Sequence, residues 1–267
     1  METDLPRAAR LRATQALKQW RHWSPAPACE PSLLHNLPQG ESNLSLLVGD
    51  GYDRWVLRLD QFDPRRLGLN RRAEVRAWQT AAQAGCAPHL AYFNPDLGVL
   101  VCRYLQPEPM RQTSPEQVAG LLRQIHALPR LHHRLDLHRR AQRYLELSGH
   151  SELPEEFRYA CRELDRMPVL LRLCHNDLLA ANRLFSGGTL WALDWEYAAT
   201  GDPWFDLAVI VEGDGWSNEA IDVLVHTWLS RAATALELER LELQRVAYRA
   251  LSLLWRAAMD APGWKTA

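Results

Sequence analysis

The sequence predicts an α+β chain, with a small antiparallel sheet up to about residue 106 and a mainly helical part over 107–267. Three observations carry this. Leu44, Leu46 and Val48, then Trp55, Leu57 and Leu59, recur at every second position on either side of Gly49-Asp50-Gly51, the pattern of two half-buried strands joined by a turn. Beyond residue 107 the apolar residues fall at helical spacing, first Val118, Leu121, Leu122 and Ile125, later Ala220, Val223, Leu224 and Trp228. Between those helices lies Leu173 to Asp206, where two short apolar runs flank Gly187-Gly188, a hairpin signal.

Taken in order, Leu5, Ala9, Ala13, Ala16, Leu17 and Trp20 predict an amino-terminal helix within 1–23. The prolines of Ser24 to Pro31 make a linker. Gln39-Gly40-Glu41-Ser42-Asn43 is a turn leading into the paired strands of Leu33 to Leu59, and Phe62 to Leu69 is a loop. Arg71 to Gln83 reads as a helix with Val75 and Trp78 on one side, ended by Gly85 and Pro88. A second hairpin pairs residues 90–93 with 99–102 around Asn94-Pro95-Asp96-Leu97-Gly98. Ser114-Pro115-Glu116-Gln117 is a helix start, a Ser cap with Pro first and Gln third, and that helix runs to about Ala127. His126, near an apolar face, reads as structural. His132 to Arg140 is a solvated helix start; its histidine spacing suits no paired metal ligands and Asp136 breaks its charge run. Helices follow over 139–147 and 155–167, and again from Ser217 onward.

Composition narrows the function. A net charge of −1 gives no basic surface for nucleic acid. The five cysteines are dispersed, without a C-x-x-C, which reads as reduced thiols rather than a disulfide frame or zinc site. The charged amino terminus carries no signal-peptide pattern and no apolar run reaches membrane-span length, so a cytoplasmic protein is expected. Oligomeric state stays open.

The chemistry concentrates after residue 173. His175, Asn176 and Asp177 stand in a row, Asn182 follows five residues after Asp177, and Asp194 ends the second apolar run. A hairpin at Gly187-Gly188 returns Asp194 to Asn182 and Asp177. Phosphoryl transfer needs a carboxylate for the acceptor's proton and oxygen ligands for Mg2+, with little covalent chemistry from the protein. Asp177 suits the first role, Asn182 and Asp194 the second, and H-x-D-x-x-x-x-N is the catalytic-loop arrangement of kinases.

These residues, with Asp194-Trp195-Glu196-Tyr197-Ala198, Gly201-Asp202-Pro203 and Phe205-Asp206-Leu207-Ala208, resemble the aminoglycoside phosphotransferase and choline kinase superfamily, nearest to its bacterial choline kinase and thiamine kinase branches. The resemblance is strong over 169–212, weaker over 36–130, and vague beyond 215. It implies a two-lobed protein-kinase-like fold with a nucleotide-binding lobe over 1–106, one helix included, and a helical lobe over 107–267. It implies ATP and Mg2+ as cofactors, with Gly40, Ser42 and Asn43 at the phosphates and the backbone of Arg103, Tyr104 and Leu105 at the adenine. Arg58 takes the place of the kinase lysine, a departure from aminoglycoside phosphotransferases and a match to the choline and thiamine branches; its fork can hold phosphate oxygens with two donors. Glu74 is its expected partner. Asp206 is expected to cap the helix after it and to hold the catalytic loop from below, with Asp202 in a turn and neither catalytic.

The acceptor is less legible. The chain has eleven tryptophans, many after residue 190, and aromatic faces beside carboxylates suit an organic cation. Glu196 and Trp195 are the best placed. A small cationic alcohol such as choline or thiamine is the first reading, and an aminoglycoside or sugar O-phosphotransferase the second. A polycation would need a wide acidic cleft, and the carboxy-terminal part has no dense acidic run, although Glu212, Asp214 and Glu219 could contribute. A retired kinase that binds nucleotide without turnover is the third reading, and intact Asp177, Asn182 and Asp194 argue against it.

Overall fold

A computed structural model describes residues 5–38, 40, 42–108 and 113–261. Gln39 and Glu41 of the expected phosphate turn, and Trp264 of the tryptophan set, lie outside the described residues. The described chain divides into two compact units. One combines the described residues up to Pro64 with Pro88–Gln106; the other combines Arg65–Ala87 with those from Pro107 onward.

The first unit is a sheet with a helix. Its strands are β1 (Ser32–Asn36), β2 (Asn43–Gly49), β3 (Arg54–Asp60), β4 (Leu90–Asn94) and β5 (Val99–Arg103), all antiparallel in the order β1-β2-β3-β5-β4. The alternation read from the sequence sets the face. Leu44, Leu46, Val48, Trp55, Leu57 and Leu59 are buried in one cluster with Val99 and Val101, covered by Ala9, Ala13 and Ala16 of α1 (Arg7–Lys18). Since successive strand residues point to opposite faces, Arg58 stands on the side away from that cluster. The predicted first helix is shorter than expected and gives way to a 3-10 turn over Trp20–His22.

The second unit is mainly helical. Its helices are α2 (Arg71–Gln83), α3 (Pro115–Ala127), α4 (Leu137–Ser148), α5 (Glu155–Arg166), α6 (Pro203–Gly213), α7 (Asn218–Leu229) and α8 (Ala235–Asp260). The α3 start is as read: Ser114 accepts from the Gln117 amide, Gln117 returns the bond, and Pro115 is first. At α8, Thr234 and Glu237 form the same reciprocal cap. The long α8 packs against α4, α5 and α6, and α7 against α3.

Two expectations change. The helix α2, read with the sheet, groups with the second unit, packing on the turn Trp195–Tyr197 and on β9 (Ala199–Gly201). The segment before α4 is not a plain solvated start. Asp136 caps α4 by accepting from the Arg139 amide, but residues 131–135 are tied to β9: Thr200 Oγ1 accepts from the Leu131 amide at 2.9 Å and Leu135 N donates to Thr200 O at 3.0 Å. Such pairings between distant segments leave no periodic trace in the sequence.

Candidate active site

The loop that carries His175, Asp177 and Asn182 leaves one small sheet and enters another. Strand β6 (Arg172–Cys174) pairs antiparallel with β9, Cys174 opposite Ala199. Strands β7 (Arg183–Ser186) and β8 (Thr189–Ala192) form the predicted hairpin. Its turn residues Gly187 and Gly188 have φ of 60° and 73°, the left-handed pair that a two-residue hairpin turn requires and that glycine adopts without strain. The hairpin returns the chain so that Leu193 N donates to Asn182 O at 2.8 Å. Asp194 follows directly, with φ of 58°. A carboxylate residue held left-handed costs about 1–2 kcal/mol, and such strain collects where a side chain must be aimed.

Asp177 and Asn182 are in contact. The Asn182 Nδ2 donates to Asp177 Oδ2 at 2.9 Å and to Asp177 O at 2.8 Å, which leaves the amide oxygen of Asn182 turned elsewhere. Asp177 is half-buried by surface. Burial of its carboxyl, then the like charges of Asp194 and Glu196, push its pKa well above the usual carboxylate range, against the Asn182 amide and the Arg140 cation. Asp177, Asp194 and Glu196 thus feel one another, as the hairpin reading requires.

The loop backbone hangs on Asp206, which is fully buried. Its Oδ2 accepts from His175 N at 2.9 Å and its Oδ1 from Asn176 N at 2.5 Å. Asp206 also meets His126 Nε2 at 3.0 Å. Trp228 Nε1, a donor only, reaches His126 Nδ1 at 3.0 Å, so Nδ1 accepts and Nε2 carries the proton given to Asp206. His126, Cys174 and Asp206 lie within 4.8 Å of one another, the spacing of a metal cluster. Both ring nitrogens and both carboxylate oxygens are already hydrogen-bonded, so this is a hub of the fold. The holding role read for Asp206 is there. The cap is not: α6 begins at Pro203, and Asp202 caps it by accepting from Trp204 N at 3.0 Å.

His175 is fully buried and donates from Nε2 to Leu193 O at 2.9 Å, tying the loop to the hairpin exit. Burial lowers its pKa to about 4, so it stays neutral and structural.

The residues read for the acceptor behave differently. Trp195 is 0% exposed, packs on the His175 ring at 4.8 Å and donates its indole N–H to Ala192 O. That corrects the expectation for Trp195: its ring has no face open to an acceptor, because the 3-10 turn after Asp194 rotates it into the core. Glu196 is 5% exposed and accepts from Arg71 Nη1 at 3.0 Å. The same Arg71 nitrogen donates to Glu74 at 2.8 Å, so one guanidinium links the α2 glutamate to the Asp194 turn. The aromatic groups near Asp177 are instead tyrosines. Tyr144, Tyr197 and Tyr248 all have their pKa raised, first by burial, with Asp177 among the charges that add to it. Arg140 stands over the Tyr197 ring at 5.2 Å, and Trp255 donates to the Tyr197 hydroxyl at 3.1 Å. Counting tryptophans missed them; the signal was Tyr197, three residues after Asp194.

In the sheet unit, Arg58 is 6% exposed, Asn43 3% and Ser42 9%, a buried polar set at one end of β2 and β3. Asn43 Nδ2 donates to Ser42 Oγ at 3.2 Å. At Gly40 the nearest atom to an added Cβ would be 4.0 Å away, so the backbone there is open to approach. Arg103 N donates to His89 O and Tyr104 N to Arg54 O, which commits those two amides to the sheet; Arg54 stands over the Tyr104 ring at 4.8 Å. Leu105 follows at the end of the unit.

Residues 33–251 match the family model described as "Phosphotransferase enzyme family". The chain belongs to the phosphotransferase enzyme family. As a member it is a small-molecule kinase, within the superfamily to which the catalytic-loop motif pointed. It is 26% identical over 256 residues to protein LicA of Haemophilus influenzae, covering 86% of this chain and 75% of that one. Among solved structures it is similar to choline kinase LicA from Streptococcus pneumoniae, with TM-score 0.73, 17% identity and 95% of each chain covered; LicA has also been solved in complex with AMP. A macrolide 2'-phosphotransferase type I shares the fold at TM-score 0.63 and 14% identity, with 99% of this chain and 96% of that chain covered. Among the described residues, no helix of this phosphotransferase is long and apolar enough to cross a membrane.

Proposed function

We propose that this phosphotransferase moves the γ-phosphoryl group of ATP to the hydroxyl of a small cationic alcohol, with choline the leading acceptor. The observation that carries the reading is the Asp177 carboxyl, held by the Asn182 amide at 2.9 Å and crowded by Asp194 and Glu196. A carboxyl held above its usual range sits nearer the working pH, where a general base is most effective. In this reading Asp177 accepts the proton of the acceptor hydroxyl and orients it for in-line attack.

The donor set fits Mg2+. Asn182 turns its amide oxygen away from Asp177 and Asp194 offers a carboxylate, both hard oxygen ligands, and a cation would relieve the mutual repulsion of the acidic cluster. When bound, Mg2+ neutralises charge on the transferring phosphate. In the sheet unit, Arg58 grips phosphate oxygens, while Gly40, Ser42 and Asn43 supply the close backbone approach and hydroxyl and amide donors. The backbone of Arg103 to Leu105 receives the adenine through its carbonyls and the Leu105 amide, since the other two amides are taken.

Choline is favoured by the LicA relatives and by the state of the carboxylates. Glu212 is bound by Arg245 and Arg249, and Asp214 by Arg183. Two of the three acidic residues that a polycationic aminoglycoside could use are thus spent on arginines, which favours a small acceptor. Thiamine, the other alcohol suggested by the motif, gains nothing from the relatives named.

Mg-ATP-dependent ADP release against choline, ethanolamine, thiamine, kanamycin and N-acetylglucosamine tests this. Choline is expected to stimulate most. Preference for kanamycin would overturn the acceptor class, and silence across the panel with ATP still bound would revive the retired-kinase reading. The pH profile offers a second check. An ionised base makes kcat/KM fall on the acid side, with a midpoint above the ordinary carboxylate range. Glu196→Gln removes one of the like charges raising Asp177 and is expected to move that midpoint to lower pH. A midpoint that stays put would show that Glu196 does not set the Asp177 pKa.

A further inference from the structure

The catalytic loop is held at both ends by one helix. Asp206, in the first turn of α6, takes the amides of His175 and Asn176. Asp214, the residue that caps α6 at its far end, takes the other end of the loop. Its Oδ1 accepts from Ala180 N at 2.9 Å, and its Oδ2 pairs with the Arg183 guanidinium. Eight residues of helix set the two carboxylates about 12 Å apart along a rigid axis. The loop between them carries Asp177 and Asn182.

A separate observation places the loop on the same helix end. At Gly213 an added Cβ would come within 2.1 Å of Leu179 Cδ2 and 3.2 Å of the Tyr248 hydroxyl. Leu179 is therefore seated on the bare glycine, and Asn182 N donates back to Leu179 O at 2.9 Å. Arg183 has a side chain 3% exposed, and its Nε and Nη1 are buried without hydrogen bonds, facing the Trp216 ring at 5.9 Å. A cation buried this deeply is kept by its carboxylate partner, so Arg183 cannot move independently of Asp214. Asn182 lies between two positions, Ala180 and Arg183, that the one carboxylate holds.

We propose that Asp214 is a positioning residue for the metal: through Ala180 N and Arg183 it fixes the backbone on which Asn182 presents its amide oxygen. The inference rests on the reading of Asn182 as a Mg2+ ligand. Sequence placed Asp214 among carboxylates open to an acceptor; the structure turns it inward as a loop anchor. Groups that orient a metal ligand from behind typically change metal affinity by about 10–100-fold when removed.

The test is Mn2+ binding in the presence of ADP, followed by electron paramagnetic resonance and needing no turnover, alongside the Mg2+ dependence of kcat and the melting temperature. Asp214→Ala strands the Arg183 cation and can fail to fold, so the double variant Asp214→Ala/Arg183→Met is made beside it, removing the buried charge and the anchor together. Both are expected to weaken Mn2+ binding about 10–100-fold and to raise the Mg2+ concentration for half-maximal kcat in step, with KM for the acceptor unchanged. A folded double variant with wild-type Mn2+ affinity overturns the inference. Asn182→Ala separates the two readings: if it also leaves Mn2+ affinity intact, the metal role of Asn182 falls and the anchor's purpose with it. If only Asn182→Ala weakens binding, the metal reading stands and the anchor does not.

Discussion

Asp177→Asn is expected to lower kcat by about 10²–10⁴-fold while ADP and ATP bind nearly as before. The amide keeps the shape of the carboxyl and its contact with Asn182 but cannot take a proton. The same variant should melt higher than the wild type at neutral pH. The sign follows from linkage. Burial and the charges of Asp194 and Glu196 hold the folded pKa of Asp177 above its unfolded one. A group of this kind contributes stability that is full only below the unfolded pKa and is lost as the pH rises through the folded pKa. Above that window the wild type carries the cost of a crowded carboxylate, and the amide does not. The gap in melting temperature should close as the pH is lowered and Asp177 protonates. A variant that turned over near the wild-type rate would remove Asp177 from the mechanism; one that melted lower at neutral pH would show that the carboxyl holds the loop together rather than straining it.

The second large effect is expected at Asp206. Asp206→Ala leaves the amides of His175 and Asn176 and the Nε2–H of His126 without an acceptor in a fully buried hub. Breaking a buried, hydrogen-bonded charge typically costs about 3–5 kcal/mol. For a chain of this size that lowers the melting temperature by roughly 6–20 °C, at about 2–4 °C per kcal/mol. Asp206→Asn recovers only part of the loss, since its NH2 would face a donor. Activity should fall with the population of folded enzyme and with the order of the 175–177 backbone. Circular dichroism melts of the two variants decide it, and a wild-type melting curve for Asp206→Ala would mean that the hub contributes nothing to stability.

Much of the fold and of the loop was legible because local rules fix them. Alternation set the strands of the sheet, Gly187-Gly188 set the hairpin, and the hairpin brought Asp194 back to Asn182 and Asp177. The Ser114 cap and the holding role of Asp206 followed from residue chemistry at known positions. What escaped depends on partners distant in sequence. Nothing near Glu196 announces Arg71, 125 residues away, and nothing near Asp214 announces Arg183. Trp195 follows Asp194 directly, yet one 3-10 turn sends it into the core. The helix α2 carries an ordinary amphipathic pattern, and its pattern alone could not say which unit it joins. Asp202 and Asp206 both sit where a cap could form; the start of α6 at Pro203 selects Asp202.

The arrangement of α8 bears on how the chain is made. Its 26 residues, Ala235–Asp260, bury Leu241, Ala247, Leu251 and Leu254 and pack against three helices that precede it in the chain. A ribosome delivers α4, α5 and α6 before it delivers α8, so during synthesis the apolar faces of those helices stand without their cover. The loop anchored on α6 gains its full surroundings only when α8 has emerged, since α8 and α6 are neighbours. Translation that stalls before residue 235 would therefore release a chain with its sheet unit complete in sequence and its helical unit open, a natural client for a chaperone that binds apolar helix faces.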